Sequence, residues 1–412
     1  MKINFERFIV KKLHSNEILN NSISDSILKI SIFGISISLV IMILTIACGI
    51  GLQNEISNKI TGFTSDFQIS NMDFDNTINK KPLEISENLF SEIKKINNVT
   101  NVKRQITKNT IIKTKNDIDG LVFKGIDENF DENFINNKII EGKKLIIDKD
   151  IPNNSILISK SISSKLNFNS LDTVILLFQD QKKIKPIIKK FVVEGVFTTG
   201  IKEIDDIYVI GDIKYLQKIN KWDSNQCTSV EVSINNDRNR KKTRYDIESI
   251  IPYNFYVLSS SEIYSEIYEW INLFNQNIKF IITIMLIICI VNITCSIISI
   301  IVERLKMIGI LKILGSNNTS ISKIFFSNWI FIMKRSLFFG NTISLILILI
   351  QKKFNILKLN PENYYVNYLP LNLSINNFLL VNTLTIASSL LLLFIPYIII
   401  KKTEAYQMSN FE

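Results

Sequence analysis

The chain has 412 residues, 46% of them hydrophobic, a mean hydropathy of +0.19, and a formal net charge of +10 from 48 Lys and Arg against 38 Asp and Glu. That mixture is too apolar for a soluble globular chain and too polar for one buried in lipid throughout, so a few membrane spans joined to one sizeable water-exposed part are expected. The basic excess is scattered rather than gathered into an arginine-rich block with aromatics, which excludes nucleic acid, and four cysteines without a CxxC exclude a disulfide framework or cysteine metal site.

In chain order, the first element is an uncharged stretch between Lys29 and Glu55, in which residues 31–52 (SIFGISISLVIMILTIACGIGL) suit a spanning helix of about 20 residues. It is too long for a signal-peptide core and lacks a small-x-small cleavage site, so it is an anchor. A long water-exposed segment follows, and its apolar pattern switches between two periods. Period-two runs predict strands over 121–126, Thr173–Phe178, 191–197, 207–210 and Ser229–Ile234. Helical spacing appears at Leu89, Ile93 and Ile96, and in SKSISSKL at 159–166. A mixed α/β domain is the expectation. The adjacent carboxylates Asp127-Glu128 and Asp205-Asp206 read as solvated loop surface, not as catalytic pairs. Ser259 and Glu262 have capping-box spacing and open a helix expected to run through Ile263, Ile267 and Ile271 into the second span as one continuous rod.

That second span, FIITIMLIICIVNITCSIISIIV, is uncharged between Lys279 and Glu303. The chain then reads VERLKMIGILKILGSNN. Ile308, Leu311 and Leu314 follow helical spacing, with Met307 and Ile310 beside them. Glu303, Arg304, Lys306 and Lys312 form the polar side, Glu303 and Lys306 are spaced to pair, and Gly315 is a helix stop. Composition leaves two readings open: a basic helix lying on headgroups, or a docking helix whose apolar face enters a groove on a partner. The third span is short. Residues 337–350 are apolar, but Lys334 and Arg335 precede them, and each would cost on the order of 2.5–3.5 kcal/mol at a bilayer centre. Both are expected at the cytoplasmic headgroup level, with the helix entering from an interfacial segment. Residues 378–400 form the fourth span, with a tolerable Pro396 near its end and Lys401 and Lys402 as its stop.

Lys2, Arg7, Lys11 and Lys12 precede the first span, Arg304, Lys306, Lys312 and Lys323 follow the second, and Lys401 and Lys402 follow the fourth. This bias puts all three segments in the cytoplasm, and Lys352 and Lys353 oppose it without reversing it. Cys48, Cys289 and Cys295 fall in spans and act as small hydrophobes, leaving Cys227 alone outside. No GxxxxGK[ST] loop is present, and the single histidine, His14, lies near the N-terminus, so the water-exposed segment has none. P-loop ATP binding, Ser-His and Cys-His nucleophiles and most zinc sites are thereby excluded. The first, second and fourth spans carry no charge, which argues against ion-coupled transport. The chain reads as a non-enzymatic membrane part, without cofactor or metal, that needs a separate motor.

The VERLKMIGILKILGSNN stretch resembles the cytoplasmic coupling helix of the lipoprotein-releasing permeases, roughly ER-x-K-E-I-G-I-L-K-A-L-G. Glu303, Arg304, Lys306, Gly309, Ile310, Leu311, Lys312, Leu314 and Gly315 match it, and Met307 stands where that family carries an acid. Similarity extends over nearly the whole chain. FERFIVKKL at 5–13 is similar to an amphipathic N-terminal elbow. ILISKSISSKLNFNSLDTVILLF at 156–178 resembles a helix followed by a Gly-Asp-x-Val strand, with Leu171 in the glycine's place. FVVEGVFTTGIKEIDDIYVI at 191–210 resembles a V-x-G-x-F-x-T-G…D segment. PENYYVNYLP at 361–370 is similar to an outer loop, and IPYIIIKKTEAYQM at 395–408 to the closing tail, with Glu404 replacing a proline. Where carrier-recruiting relatives insert a protruding hook, this chain has only FQDQKKIKPIIKKF.

Those permeases share a superfamily with macrolide-exporter and cell-division permeases. The resemblance implies a multi-pass α-helical membrane protein with four transmembrane helices and a large mixed α/β extracytoplasmic domain between the first two. The implied layout is an elbow over 1–28, spans over 29–52, 273–302, 324–351 and 377–400, an outer domain over 53–272 and an outer loop over 352–376. Residues 303–323 would form the coupling segment and 401–412 a cytoplasmic tail. It implies a mechanotransmission subunit of an ABC transporter in the inner membrane that extracts lipoproteins from the outer leaflet. Implied partners are a cytoplasmic ABC ATPase dimer, a second permease subunit (identical or paralogous), triacylated lipoprotein cargo, a periplasmic carrier and membrane lipids. Leu44, Ile46, Ile50, Leu52, Ile278, Ile281 and Met285 are the implied cavity-lining positions. A macrolide-exporter-like permease, a cell-division-type regulator of an outer hydrolase, and a membrane-anchored sensor or enzyme are the competing readings.

Overall fold

A computed structural model describes residues 23–72, 81–114, 117–130, 132–148, 151–179 and 185–391. The elbow motif at 5–13, His14, Lys2, Arg7, Lys11 and Lys12 lie outside the described residues, as do Pro396, Lys401, Lys402 and the tail motif. The chain divides into two compact units, the first from the described parts of Met1–Gln53, Trp270–Lys358 and Tyr368–Glu412, the second from Asn54–Glu269 and Leu359–Asn367.

Uninterrupted apolar sequence makes the longest elements. Helix α1 covers Ile23–Thr64, 42 residues with no proline or charge in its apolar middle. The second unit then alternates strands and short helices. These are β1 (Phe67–Asn71), β2 (Leu83–Glu84), α2 (Glu87–Lys95), β3 (Val99–Lys113), β4 (Ile118–Ile126), α3 (Glu132–Asn136), β5 (Ile139–Gly142), β6 (Ser155–Ser159) and α4 (Lys160–Leu166). They continue with β7 (Thr173–Phe178), β8 (Ile187–Phe197), α5 (Lys202–Asp205), β9 (Tyr208–Asp212), α6 (Ile213–Asn220), β10 (Gln226–Cys227), β11 (Ser229–Ile234), α7 (Arg240–Ile250) and β12 (Phe255–Ser259). After the short α8 (Ser260–Ile263) come α9 (Ser265–Glu303), α10 (Leu305–Ile313), α11 (Asn318–Phe354), α12 (Pro361–Tyr364) and α13 (Ile375–Leu391).

The strands form a ten-stranded mixed sheet in the order β12-β1-β11-β3-β4-β9-β6-β8-β5, with β7 pairing both β3 and β8, beside a two-stranded β10-β2 ribbon. Every strand read from alternation is present, and β8 starts at Ile187, earlier than the pattern predicts, because it pairs antiparallel with β7 down to Ile187 opposite Phe178. The hook position is therefore a short connection over 179–186, of which 180–184 lie outside the described residues. One face of the sheet carries the core. Phe123 packs against Phe178 and Phe191 with ring centroids 5.9 and 5.3 Å apart, and Ile93, Ile162, Leu216 and Ile247 cover it from the helices.

Two expectations about carboxylates are corrected. Asp205 is buried, not solvated: it accepts hydrogen bonds from the Thr199 and Gly200 N–H groups and from both the Thr198 and Thr199 hydroxyls, holding the TTG turn closed. Asp127 is also buried, accepting from the Arg104 and Asn129 N–H groups, and burial pushes its carboxyl up to about 6. In each pair the first acid serves backbone donors that alternation does not reveal, near in sequence for Asp205 and partly on β3 for Asp127. Cys227 lies in the core cluster, and burial pushes its thiol up to about 12, so it behaves as a small hydrophobe.

Leu171, standing where the resembling family carries glycine, has φ +73° and is 72% exposed, while its N–H donates to the Val193 carbonyl at 2.7 Å. A left-handed conformation costs a residue with a Cβ roughly 1–2 kcal/mol, and this side chain recovers little of it by burial. Leu171→Gly is therefore expected to stabilise the chain by about 1 kcal/mol, seen as a rise of roughly 2–4 °C in the unfolding midpoint of the α/β domain. A lower midpoint would show that the leucine side chain makes a compensating contact.

In the first unit three helices are long and apolar enough to cross a membrane: α1 from Ser26, α9 and α11. α11 is one uninterrupted helix of 37 residues that includes Lys334 and Arg335, both exposed, with the Arg335 guanidinium 4.1 Å from the Phe331 ring centroid. Leu39, Met42, Ile43 and Ala47 of α1 pack with Ile348 of α11, Leu371 and Val381. A Cβ on Gly51 would stand 2.0 Å from the Pro370 carbonyl oxygen, so only glycine lets α1 and that segment approach this closely. The rod expected from Ser259 is broken once. Glu262 does accept the Ser259 N–H at 2.6 Å, but Tyr264 leaves helical geometry at φ −109°, ψ 48°, where its hydroxyl pairs with Tyr208. Beyond that break α9 runs 39 residues without interruption.

Candidate functional site

The expected coupling stretch forms α10, set between the two longest apolar helices after α1. Arg304, at φ −101° and ψ 13°, kinks the chain between α9 and α10 by one non-helical residue. That kink separates Glu303 from Lys306, and the ion pair expected between them does not form. At the other end Gly315 adopts φ +84°. Its N–H donates to the Lys312 carbonyl at 3.0 Å and that of Ser316 to Leu311 at 2.9 Å, the two bonds of a Schellman stop. A Cβ at Gly315 would meet nothing within 4 Å, so its role is conformational. Asn317 then takes the N-cap position of α11, two residues beyond Gly315 and without a side-chain capping bond.

The apolar residues of α10 divide. Ile308 and Leu311 are buried, with Gly309 beside them, in a cluster formed with Ile293, Ile297, Ile300 and Ile301 of α9 and Ile321, Ile324 and Phe325 of α11. Ile310, Ile313 and Leu314 face outward at 59%, 66% and 75% exposure. One set fixes α10 to its own bundle and leaves the other as an apolar patch bordered by Lys306 and Lys312. Spacing alone assigned Ile308, Leu311 and Leu314 to one face; two successive three-residue steps on a helix of 3.6 residues per turn carry Leu314 about 120° round from Ile308, and the helix ends there, with Leu314 at its C-cap.

A second feature is an apolar cavity of 570 Å³ within the same unit. Leu44 and Cys48 of α1, Ile278 and Ile281 of α9, Leu347 of α11 and Leu371 line it. It therefore gathers Leu44, Ile278 and Ile281 from the sequence-derived set. Ile46 and Met285 pack instead against the neighbouring core cluster, Leu52 is buried and Ile50 half-buried. Its lining is mostly apolar, the kind of surface that takes up apolar groups.

The third feature escaped sequence reading. On the sheet face opposite the main core, Glu231 of β11 is fully buried between Lys124 (2.7 Å) and Lys103 (3.2 Å). Lys103 and Glu231 are direct cross-strand partners. Lys124 Nζ also donates to the Phe63 carbonyl at 2.5 Å, satisfying an acceptor in the last turn of α1. It stands 4.4 Å from the Phe63 ring, and Lys103 stands 4.1 Å from Phe130. Burial alone would raise the Glu231 carboxyl, but Lys124 and Lys103 overcome it and hold it below the ordinary carboxylate range. Burial brings the Lys124 ammonium down to about 8 against the pull of Glu231, so that pair is ionised at neutral pH. Tyr208 and Tyr264, hydrogen-bonded to each other, sit in the field of Glu231. The triad thus holds the end of α1 to the sheet beside the turn from which α9 starts.

Among the described residues no group of three or more His, Cys, Asp or Glu could hold a metal ion.

Residues 29–250 match the MacB-like periplasmic core domain, and residues 279–405 match the FtsX-like permease C-terminal region. A curated relative, the lipoprotein-releasing system transmembrane protein LolC of Buchnera aphidicola subsp. Schizaphis graminum (strain Sg), is 26% identical over 378 residues, covering 88% of this chain and 89% of that protein. Among solved structures, the periplasmic region of MacB from Actinobacillus actinomycetemcomitans is 18% identical at a TM-score of 0.36, covering 52% of this chain and 97% of that one. The extracellular domain of the noncanonic ABC-type transporter YknZ from Gram-positive bacteria is 14% identical at a TM-score of 0.33, covering 47% and 99%.

Proposed function

The chain belongs to the MacB-like periplasmic core domain family and carries an FtsX-like permease region, and from that premise we propose that it is the permease subunit of an ATP-driven, lipoprotein-releasing machine. As an ABC-type permease it works with an ATPase and a second permease subunit. The finer reading is that four spans (29–52, 273–302, 324–351 and 377–400) cross the inner membrane, with 53–272 outside and both termini and 303–323 inside. The distribution of basic residues supports this orientation, and the relative's name supports the cargo.

The observation that carries the reading is α10: a capped, kinked helix braced by Ile308 and Leu311 that presents Ile310, Ile313 and Leu314 outward. In this mechanism two ATPases grip the α10 helices of two permeases and draw them together on closing. α9, at 1.5 Å per residue about 58 Å long, carries the displacement along its axis. Acyl chains of a triacylated lipoprotein enter the apolar cavity at Leu44, Ile278 and Ile281 and leave towards a carrier. Each CH₂ moved from lipid into water costs about 0.8 kcal/mol, so extraction needs both the cavity and ATP-derived work. The chain itself performs no chemistry.

Purification of this chain with its ATPase from native membranes tests the reading. A triacylated lipoprotein is expected to co-elute and to leave on addition of ATP but not of a non-hydrolysable analogue. Co-elution of no lipoprotein, or retention through ATP turnover, would overturn it.

A further inference from the structure

A cleft of 620 Å³ lies wholly within the α/β unit, lined by Lys59 of α1, Lys138, Lys160 of α4, Lys202 of α5, and Ser161 and Thr198, among others. The charges in it are unbalanced. Lys160 pairs with Glu141 at 2.9 Å. Asp205 and Asp206 also line the cleft, but Asp205 is saturated by the TTG turn and Asp206 accepts the Ser161 hydroxyl. Lys59 is only 8% exposed, yet the one partner its ammonium holds is a neutral acceptor, the Tyr365 carbonyl oxygen at 2.7 Å. Lys138 repels it, and Glu55 and Asp205 offset that only from a distance. Among the described residues Lys59, Lys138 and Lys202 form no ion pair with a carboxylate.

A buried ammonium facing a like charge is costly unless an anion balances it. Lysines acting as point charges, with hydroxyls beside them, suit a phosphate group. Along α1, Lys59 follows the apolar run ending at Leu52 by about 10 Å of helix, just beyond the roughly 5–8 Å depth of one headgroup layer. We propose that this cleft binds a phosphate-bearing anion, with Lys59 at its base and Lys138 and Lys202 at its rim. The chemistry is shared by an anionic lipid headgroup and a free phosphate. The cleft includes no residue of α10 or of the apolar cavity, so this proposal stands or falls separately from the transport reading.

The test is isothermal titration of the full-length chain in detergent, without ATPase or cargo, using inorganic phosphate, short-chain phosphatidylglycerol and short-chain phosphatidylcholine. Saturable binding of phosphatidylglycerol but not phosphatidylcholine is expected, weakened at least tenfold by K138Q/K202Q, whose side chains are not core-buried. Lys59→Gln should weaken it at least as much. Equal occupancy by inorganic phosphate identifies the free anion as a sufficient ligand, while binding of phosphatidylglycerol alone identifies the lipid headgroup. Either result supports the site. No saturable binding of either anion, or an affinity unchanged in K138Q/K202Q, overturns it.

Discussion

Glu231→Gln is expected to destabilise the α/β domain by roughly 3–5 kcal/mol, the cost of leaving buried cations without their counter-charge. Glu231 has no exposure, and its two carboxylate oxygens meet Lys124 and Lys103 separately. Glutamine keeps the volume and one acceptor but removes the charge that makes two neighbouring buried ammonium groups tolerable. Lys124 would then lose its reason to remain charged, and its bond to the Phe63 carbonyl would weaken with it. The measurement is the unfolding midpoint of the full chain in detergent, expected to fall by roughly 10 °C. Lys124→Met is the informative companion. It leaves Glu231 paired with Lys103, so the charge imbalance is smaller, but it deprives the end of α1 of its donor. If both variants unfold like the parent, the triad neither stabilises the domain nor holds α1.

This triad also shows where sequence reading stops. Period two marks Val230 and Val232 as one face of β11 and Glu231 as the other, and the same holds for Val102 against Lys103. Alternation identifies two faces but does not say whether the second meets water or another layer. Here it meets the end of α1, which the pattern cannot supply. A lysine inside LVFKGI and a glutamate inside SVEVSI, opposite in sign on the two strands that flank β3, were the available signal. By contrast β7, β11 and α4 were legible because their information is local: alternation, and Ser159 accepting the Ile162 N–H at the start of α4. The break at Tyr264 was illegible for the opposite reason. The local pattern around it is helical, and its distant hydroxyl partner, Tyr208, lies on β9.

Replacing Ile310, Ile313 and Leu314 together by Asp is expected to abolish ATPase stimulation and weaken ATPase retention on the chain by at least roughly a hundredfold. A buried Leu or Ile side chain contributes about 1.5–3 kcal/mol, and an amphipathic helix seated in a groove concentrates its affinity in a few such anchors. All three are exposed in the isolated chain, so folding should survive, since exposed substitutions shift stability by no more than about 0.5 kcal/mol. Ile308→Asp is the contrast: buried against α9 and α11, it should lower the unfolding midpoint and lose the ATPase only as a consequence. Headgroup binding and docking separate at this point. A helix that merely lies on lipid loses interfacial affinity when made acidic, but the ATPase would still copurify at parental stoichiometry. A docked helix loses the ATPase while the chain stays folded and inserted. The parental amount of ATPase on the triple variant would therefore place the motor's grip elsewhere and remove α10 from the transmission path.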